Sequence, residues 1–422
     1  MGRTRSGVQF SPLSDDPSTE DVSFIQTEWD STNAFGAAAT QEEGFGDEGE
    51  LDSHVCIAER APTPIPNEEI YLTISGPQRT DFSHCGGGSW TGRRDSSKSS
   101  RSYTVHELEE MGFTYVPYEP GRNVLFSDSQ TRIVGGLVDA PPGEEWTLTK
   151  ENASVSLQNA RKIGAGTGAF LNKDLNHRRG RYFTLLTGVS MGGGQKRPGN
   201  LAQRLRARCK LVQSILLNES IKRIAGFQSS AFYFLAPKLY RRYANDLGRL
   251  YNSQSELRWN FDGSIYPCVA FNCGPQSITT LHFDQGNLSH GLCAVMPLGN
   301  FDWKKGGHLV LWELKLVLEF PPGTVALLPS AAVRHCNTPI QKGEERMSIT
   351  QFAAGGLFRW VAYGMKSAKE LGSMKASDGR TVKEKADKGA EERWMEGLSL
   401  FSTTTSLEQD YRTDQLPPTS LV

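Results

Sequence analysis

Leu281-His282-Phe283-Asp284 opens the stretch, ending at Arg346, on which the fold turns. The residues around it have extended character, and on a strand the side chains at i and i+2 point to one face. His282 and Asp284 therefore present an imidazole and a carboxylate side by side. On either side lie short apolar runs separated by turn residues. Strands are expected over 265–271, 278–284, 291–297, 308–312, 314–320, 324–329 and 347–353, with Gly306-Gly307 and Pro321-Pro322-Gly323 as punctuation. That many short strands within about ninety residues suffice for a double-sheet jelly roll. The expected fold class is α+β: a double-stranded β-helix (jelly roll) core buttressed by helices, with a disordered N-terminal region.

A third metal-ligand candidate, His335, stands in Val333-Arg334-His335-Cys336, just past the apolar run Thr324-Val325-Ala326-Leu327-Leu328. Two histidines and one carboxylate form the facial triad that holds non-haem Fe(II) and leaves positions open. His290 and His308 compete for the third place. His290 lies in an expected loop six residues past Asp284, and His308 follows a glycine pair; one of them serving as a structural histidine is the bland alternative. His335 is preferred because a jelly roll folds a late strand back beside its first. Arg346-Met347-Ser348 repeats the i, i+2 arrangement, and a guanidinium fork beside a hydroxyl suits a small carboxylate. An ordinary surface arginine is the alternative; an inward one needs an anion to neutralise it. Together these parts describe an Fe(II)- and 2-oxoglutarate-dependent dioxygenase. His282, Asp284 and His335 hold the iron, the keto-acid end of 2-oxoglutarate takes two open positions, and O2 takes the last. Arg346 and Ser348 hold the far carboxylate. Decarboxylation to succinate and CO2 yields a ferryl oxidant; the cofactor set supplies the difficult chemistry and the protein positions it.

The chain is 422 residues long, with 43 glycines diluting a globular body. Its seven scattered cysteines include no C-x-x-C pair, which argues for a reducing compartment and against a structural zinc site. The polar, acidic N-terminus does not read as a secretory signal, and no apolar run approaches a membrane span. Residues 1–69 carry fifteen acidic side chains against Arg3, Arg5 and Arg60, a net of −12, so the remainder holds +11 of the total −1. Between Arg161 and Arg249 eighteen Lys and Arg face only Asp174, Glu219 and Asp246. Such a body attracts polyanions, although any single charged stretch is more often a solvated face.

Four regions are expected: a disordered acidic region and linker over 1–103, an N-terminal extension packed on the core over 104–165, the catalytic domain over 166–365 and a charged tail over 366–422. Glu69 to Ile74 reads as a lone strand, and Thr104-Val105-His106-Glu107 has capping-box spacing before a short helix. Helices are expected over 153–162, 201–219 and 237–251, with Arg204, Arg206, Arg208, Lys210, Lys238, Arg241, Arg242 and Arg249 on polar faces. The glycine-rich run 188–198 lacks the Gly-Lys-Ser/Thr of a nucleotide loop and reads as a mobile basic loop. Trp394 to Phe401 reads as a docking segment.

His282-x-Asp284-x-x-Asn287, Gly306-Gly307-x-Leu309, Pro322-Gly323, His335 and Arg346-x-Ser348 resemble the TET/JBP group of 2-oxoglutarate oxygenases, most of all its fungal branch. Gly188-Val189-Ser190-x-Gly192-Gly193-Gly194, Phe271-Asn272-x-Gly274 and Gly355-Gly356-Leu357-Phe358-Arg359-Trp360 fit the same branch. The likeness covers about residues 165–365. It implies oxidation of the methyl group of 5-methylcytosine, or of thymine, in DNA. It also implies that Asn287 lies beside a flipped base, with a turn-capping asparagine as the alternative. The basic helices and the Lys196-Arg197 loop would then contact phosphates. Two features depart from the animal members: the cysteine-rich zinc region is absent, and Gln351-Phe352-Ala353-Ala354 stands where they carry a base-contacting histidine. A hydroxylase of proteins or small molecules and a degenerate DNA-binding or transposon-associated protein are the alternatives. The cysteine pattern is that of an intracellular protein, and a nuclear location follows only from the substrate.

Overall fold

The computed structural model describes residues 71–75, 89–92, 101–192, 194–375, 381–386 and 389–412. The first elements are β1 (Tyr71–Ser75), α1 (Val105–Glu110), β2 (Thr114–Val116), β3 (Asn123–Ser127), β4 (Ile133–Val138) and α2 (Glu144–Gly166). A small hairpin, β5 (Asn176–His177) and β6 (Gly180–Arg181), precedes β7 (Thr184–Ser190) and β8 (Gly199–Asn200). Three helices follow: α3 (Arg206–Leu216), α4 (Glu219–Leu235) and α5 (Pro237–Ser253). Then come β9 (Cys268–Asn272), β10 (Cys293–Asn300), β11 (Leu309–Leu311), β12 (Leu316–Leu318), β13 (Val325–Leu328), β14 (His335–Asn337) and β15 (Glu345–Phe352). The chain closes with α6 (Gly355–Ala362), α7 (Ala368–Ser373), α8 (Val382–Ala386), α9 (Ala390–Ser399) and α10 (Leu407–Arg412).

The strands form a nine-stranded sheet, ordered β1-β3-β4-β13-β10-β15-β9-β7-β8, and a four-stranded sheet, ordered β14-β11-β12-β2. From β9 onward the chain crosses repeatedly between them, and of these strands only β11 and β12 are neighbours in both sequence and sheet. On β15, Arg346, Ser348, Thr350 and Phe352 face the cavity between the sheets, while Met347, Ile349 and Gln351 are buried on the opposite face. Helices cover that outer face. From α4, Gln228 donates to the carbonyls of Ala294 and Ile349 and accepts from Gln351, whose Oε1 accepts from Ser264. Every polar group of this buried cluster thus finds a partner, which is the condition for burying it at all.

Local rules account for several elements. The capping box at Thr104 and Glu107 forms as the spacing predicts, Asn218 caps α4 by accepting from Ile221 N, and Pro237 opens α5. Other expectations are corrected. The helix over 201–219 is shorter and ends before Asn218, where α4 begins; α4 has no counterpart in the sequence reading. Its apolar residues encircle it, with Ile221, Ile224, Ala225, Phe232, Tyr233 and Leu235 all buried, so no polar stripe marks its period. The 153–162 helix extends to the 23 residues of α2. Gly188-Val189-Ser190 belongs to β7, not to a loop, and residues 278–284 form an irregular segment beside β14 instead of a regular strand.

The N-terminal parts are also more integrated than expected. β1 pairs in parallel with β3, β4 pairs with β13, and β2 pairs with β12, so 104–165 extends both sheets instead of lying on them. Within the expected linker, Trp90 is buried, its carbonyl accepts from Ser289 N, and Gly92 N donates to Gln285 O. A Cβ at Gly92 would stand 2.6 Å from the Ala331 carbonyl, which accounts for glycine there. Trp394, Leu398 and Phe401 are buried, in keeping with the expected docking segment. The readings of residues 1–70 lie outside the described residues. Among the described residues no helix is long and apolar enough to cross a membrane.

Candidate metal centre

His282, Asp284 and His335 come together as the sequence predicts, with one ligand atom from each lying within 4.8 Å of the others. His282 Nε2 is 3.7 Å from Asp284 Oδ1, and His335 Nε2 is 3.8 Å from Asp284 Oδ2. Ligands held at about 2.1 Å from one ion stand roughly 3–4 Å apart, so the spacing fits a cation between them. The backbone sets this up: His282 and His335 exchange N–H···O bonds of 3.1 and 3.0 Å, which fixes the loop beside β14. Each Nδ1–H donates to a carbonyl, His282 to Thr280 O at 2.7 Å and His335 to Val333 O at 3.0 Å. That tautomer leaves both Nε2 lone pairs facing the carboxylate, the arrangement a metal-binding histidine needs.

Electrostatics favour the same protonation states. Burial pushes the Asp284 carboxyl up, but Arg179, His335 and His282 outweigh it and hold it below the ordinary carboxylate range. Burial lowers both histidines, assisted at His282 by its neighbours His335 and Arg179. A carboxylate between two neutral imidazoles is the deprotonated set a cation requires.

The triad lies in a cavity of about 180 Å³ between the two sheets. Elsewhere in the same cavity is Arg346, 2% exposed, with Phe301 and Phe320 packed near its guanidinium. Its Nη1 donates to Ser277 O at 2.6 Å, its Nε has no partner, and no carboxylate pairs with it among the described residues. Burial depresses its pKa to about 10. A buried guanidinium left without an anion is costly unless a ligand supplies one. Ser348, two residues on, lines the same wall.

The remaining candidates divide. Asn287 lines the cavity, and its Nδ2 donates to Ser330 Oγ at 3.0 Å; Ser330 in turn hydrogen-bonds the Asp284 carboxyl. Its backbone N–H also closes a turn onto Asp284 O. Lys196 and Arg197 are exposed and outside the cavity wall, although Met191 and Gly192 of the same loop line it; Arg197 lies 3.5 Å from Glu256. The two rejected histidines are elsewhere: His290 packs against Gly397, and His308 bonds Thr338 Oγ1 at 2.7 Å. Gln351 faces the helices and Phe352 the cavity. Of the basic side chains expected to be outward, Arg208 is buried against Asp174 at 2.5 Å. On α5, Lys238 meets Asp410, Arg241 donates to the Asp410 carbonyl, and Arg242 pairs with Asp246.

The β5–β6 region was missed from sequence. Arg179 forms a 2.6 Å ion pair with Asp284 Oδ1, and His177 and Tyr182 line the cavity beside it. Burial raises the Tyr182 hydroxyl to about 12 and, with Arg179, lowers His177 to about 4. Thr280 N donates to Arg179 O, which with the Arg179–Asp284 ion pair ties this hairpin to the metal ligands, and no local pattern announces those contacts.

Neither a protein-family model nor a curated protein matches the sequence. Among solved structures the chain is similar to NgTET1 in complex with 5mC DNA, at 17% identity and a TM-score of 0.41, covering 58% of this chain and 83% of that one. It is also similar to an oxidoreductase of the 2OG-Fe(II) oxygenase family from Burkholderia pseudomallei, at 18% identity and a TM-score of 0.23, covering 41% of this chain and 67% of that one.

Proposed function

We propose that this chain is an Fe(II)- and 2-oxoglutarate-dependent dioxygenase that oxidises the methyl group of 5-methylcytosine, or of thymine, in DNA. One observation carries the proposal: a buried His-Asp-His triad shares a cavity with a buried arginine that pairs with no carboxylate among the described residues. The order of strands supports the fold it needs. β9, β15, β10 and β13 are neighbours in one sheet while β14, β11 and β12 are neighbours in the other, the alternation of a double-stranded β-helix. The catalytic unit is residues 166–365, to which 104–165 contributes strands.

His282, Asp284 and His335 would hold Fe(II), which supplies oxygen activation when bound with 2-oxoglutarate and O2. The chain's own contributions follow from its geometry. Thr280 O and Val333 O fix the imidazole tautomers, and Ser330 steadies the carboxylate. Arg346 and Ser348 hold the distal carboxylate of the co-substrate, neutralising the buried guanidinium. Leu186, Ala270, Val295, Leu309 and Leu328 keep much of the remaining wall apolar, which limits water. A methyl group inside a duplex cannot reach so enclosed a centre, so the base must be flipped out. Asn287 then stands at the cavity wall to contact it, and exposed Lys196 and Arg197, on the loop that carries the cavity-lining Met191 and Gly192, contact phosphate. A nuclear location follows from that substrate.

A second reading keeps the chemistry and changes the substrate to a protein or small molecule. It is favoured by the ion pairs of Arg208, Lys238 and Arg242 with carboxylates of the chain, which neutralise part of the basic face. Nucleoside mass spectrometry after incubation of 5-methylcytosine DNA with iron, 2-oxoglutarate and the protein decides between them. Hydroxymethylated or further oxidised cytosine supports the first. Oxidation found only in protein or metabolite mixtures supports the second.

A further inference from the structure

Behind the metal ligands, away from the cavity, a second set of side chains meets. His282 and Asp284 line the cavity, whereas Phe283 between them is half-buried and outside its wall. Arg334, beside His335, is likewise half-buried and outside it. The Arg334 guanidinium carbon lies 5.9 Å from the Phe283 ring centroid and 5.7 Å from that of Trp312. Glu313 grips the same arginine twice: Arg334 Nε donates to Oε1 at 2.7 Å, and its backbone N–H to Oε2 at 2.6 Å. Trp312 is held in turn. Its backbone N–H donates to Arg334 O at 2.9 Å, and the rings of Tyr103 and Phe113 pack 5.2 and 5.1 Å from its own.

Building on the metal-centre reading above, we infer that Arg334 is a positioning residue: gripped by Glu313, it ties Phe283 to Trp312 and so fixes the attitude of His282 and Asp284 toward His335 from outside the cavity. The segment that carries the first two ligands forms no regular strand. Beside the ligands its backbone is held by the paired bonds between His282 and His335 and by Asp284 N donating to Ser330 O at 2.8 Å. Successive side chains of an extended segment project to opposite sides. Rotation of the segment about its own length therefore swings Phe283 one way and both ligands the other. Pinning the ring on the outer side limits that swing on the inner side. The task suits arginine, whose planar guanidinium stacks on rings while forking toward a carboxylate; a lysine ammonium is a point charge and does not stack. One such contact is weak beside the stability of a domain, so its loss can disturb the ligands while the fold persists.

Titration of the full-length protein with Mn(II), followed by the electron paramagnetic resonance spectrum of the bound ion, tests this. Arg334→Lys keeps the charge and the Glu313 partner. It is expected to weaken Mn(II) binding about tenfold, as loss of a ligand-orienting partner does, and to alter the zero-field splitting. Phe283→Leu should do the same, and Phe283→Tyr, which keeps the ring face, should restore wild-type affinity and spectrum. The double variant Arg334→Lys, Phe283→Leu should be no weaker than either single one, because both remove a single contact. A merely structural part would lower the urea midpoint and leave the Mn(II) affinity and spectrum unmoved. That result in both Arg334→Lys and Phe283→Leu, or additive losses in the double variant, overturns the inference and leaves the metal-centre reading standing. Failure of wild type to bind Mn(II) overturns that reading itself. If Phe283→Leu does not fold, Arg334→Lys against wild type decides alone.

Discussion

Replacing Arg346 by methionine should stabilise the ligand-free protein and abolish its response to 2-oxoglutarate. Arg346 is 2% exposed, and burial takes its pKa from 12.5 to about 10. That shift corresponds to a penalty of roughly 3 kcal/mol on the charged form. The guanidinium is charged at every pH below about 10, so the penalty applies across the whole usable range. Against it stands the hydrogen bond to Ser277 O, worth about 1 kcal/mol. Methionine keeps an unbranched apolar stem between Phe301 and Phe320, and the variant should gain roughly 2 kcal/mol. With 2-oxoglutarate at about one hundred times its Kd, wild type gains about 2.7 kcal/mol and the variant nothing. The order of stabilities therefore reverses when ligand is added. Urea unfolding of Mn(II)-loaded protein, with and without 2-oxoglutarate, reads both arms. A variant that is less stable without ligand, yet gains as much from 2-oxoglutarate as wild type, refutes the role given to Arg346.

Other consequences follow from the same geometry. His282→Ala, Asp284→Ala and His335→Ala should each weaken Fe(II) binding by more than about tenfold under anaerobic titration, while His308→Ala should bind iron as wild type does; the opposite pattern would reassign the third ligand. Burial, with Arg242 and Arg393, holds His290 at about 3 instead of 6.5. The unfolded chain then binds the extra proton first, so this contribution to stability is full above pH 6.5 and is lost as pH falls toward 3. The slope is at most about 1.4 kcal/mol per pH unit. His290→Gln should flatten acid unfolding over that window, and an unaltered profile would show that other groups control it. Charge reversal at Lys196 and Arg197 together should lower affinity for methylated DNA and shallow its salt dependence by about two counterions; equal slopes would remove that loop from the interface.

What the sequence disclosed, and what it hid, has a physical basis. The i, i+2 pairs His282/Asp284 and Arg346/Ser348 depend only on local extended backbone, and both point into one cavity even though the first pair lies on no regular strand. His335 was within reach because alternation between two sheets returns a late strand to the first. Arg179, His177 and Tyr182 arrive from a hairpin that contacts the ligand loop through Thr280, a tertiary pairing with no periodic signal. Asn272 stood in a recognised motif, Phe271-Asn272-x-Gly274, but its bond to Ser348 exists only in the sheet register. Trp90 was obscured differently: glycines and serines around it have linker composition, while its burial depends on α9, where Arg393 stacks 4.5 Å from its ring centroid. Charge counting misled most, since a cation such as Arg208 counts the same whether it faces water or Asp174.

Succinate release is the most direct test of the dioxygenase assignment. Wild-type protein supplied with Fe(II), 2-oxoglutarate, O2 and methylated DNA should form succinate in step with 2-oxoglutarate consumed, and Asp284→Ala should form none. Succinate formed equally by Asp284→Ala, or none formed by an iron-binding wild type with any substrate class, would contradict it.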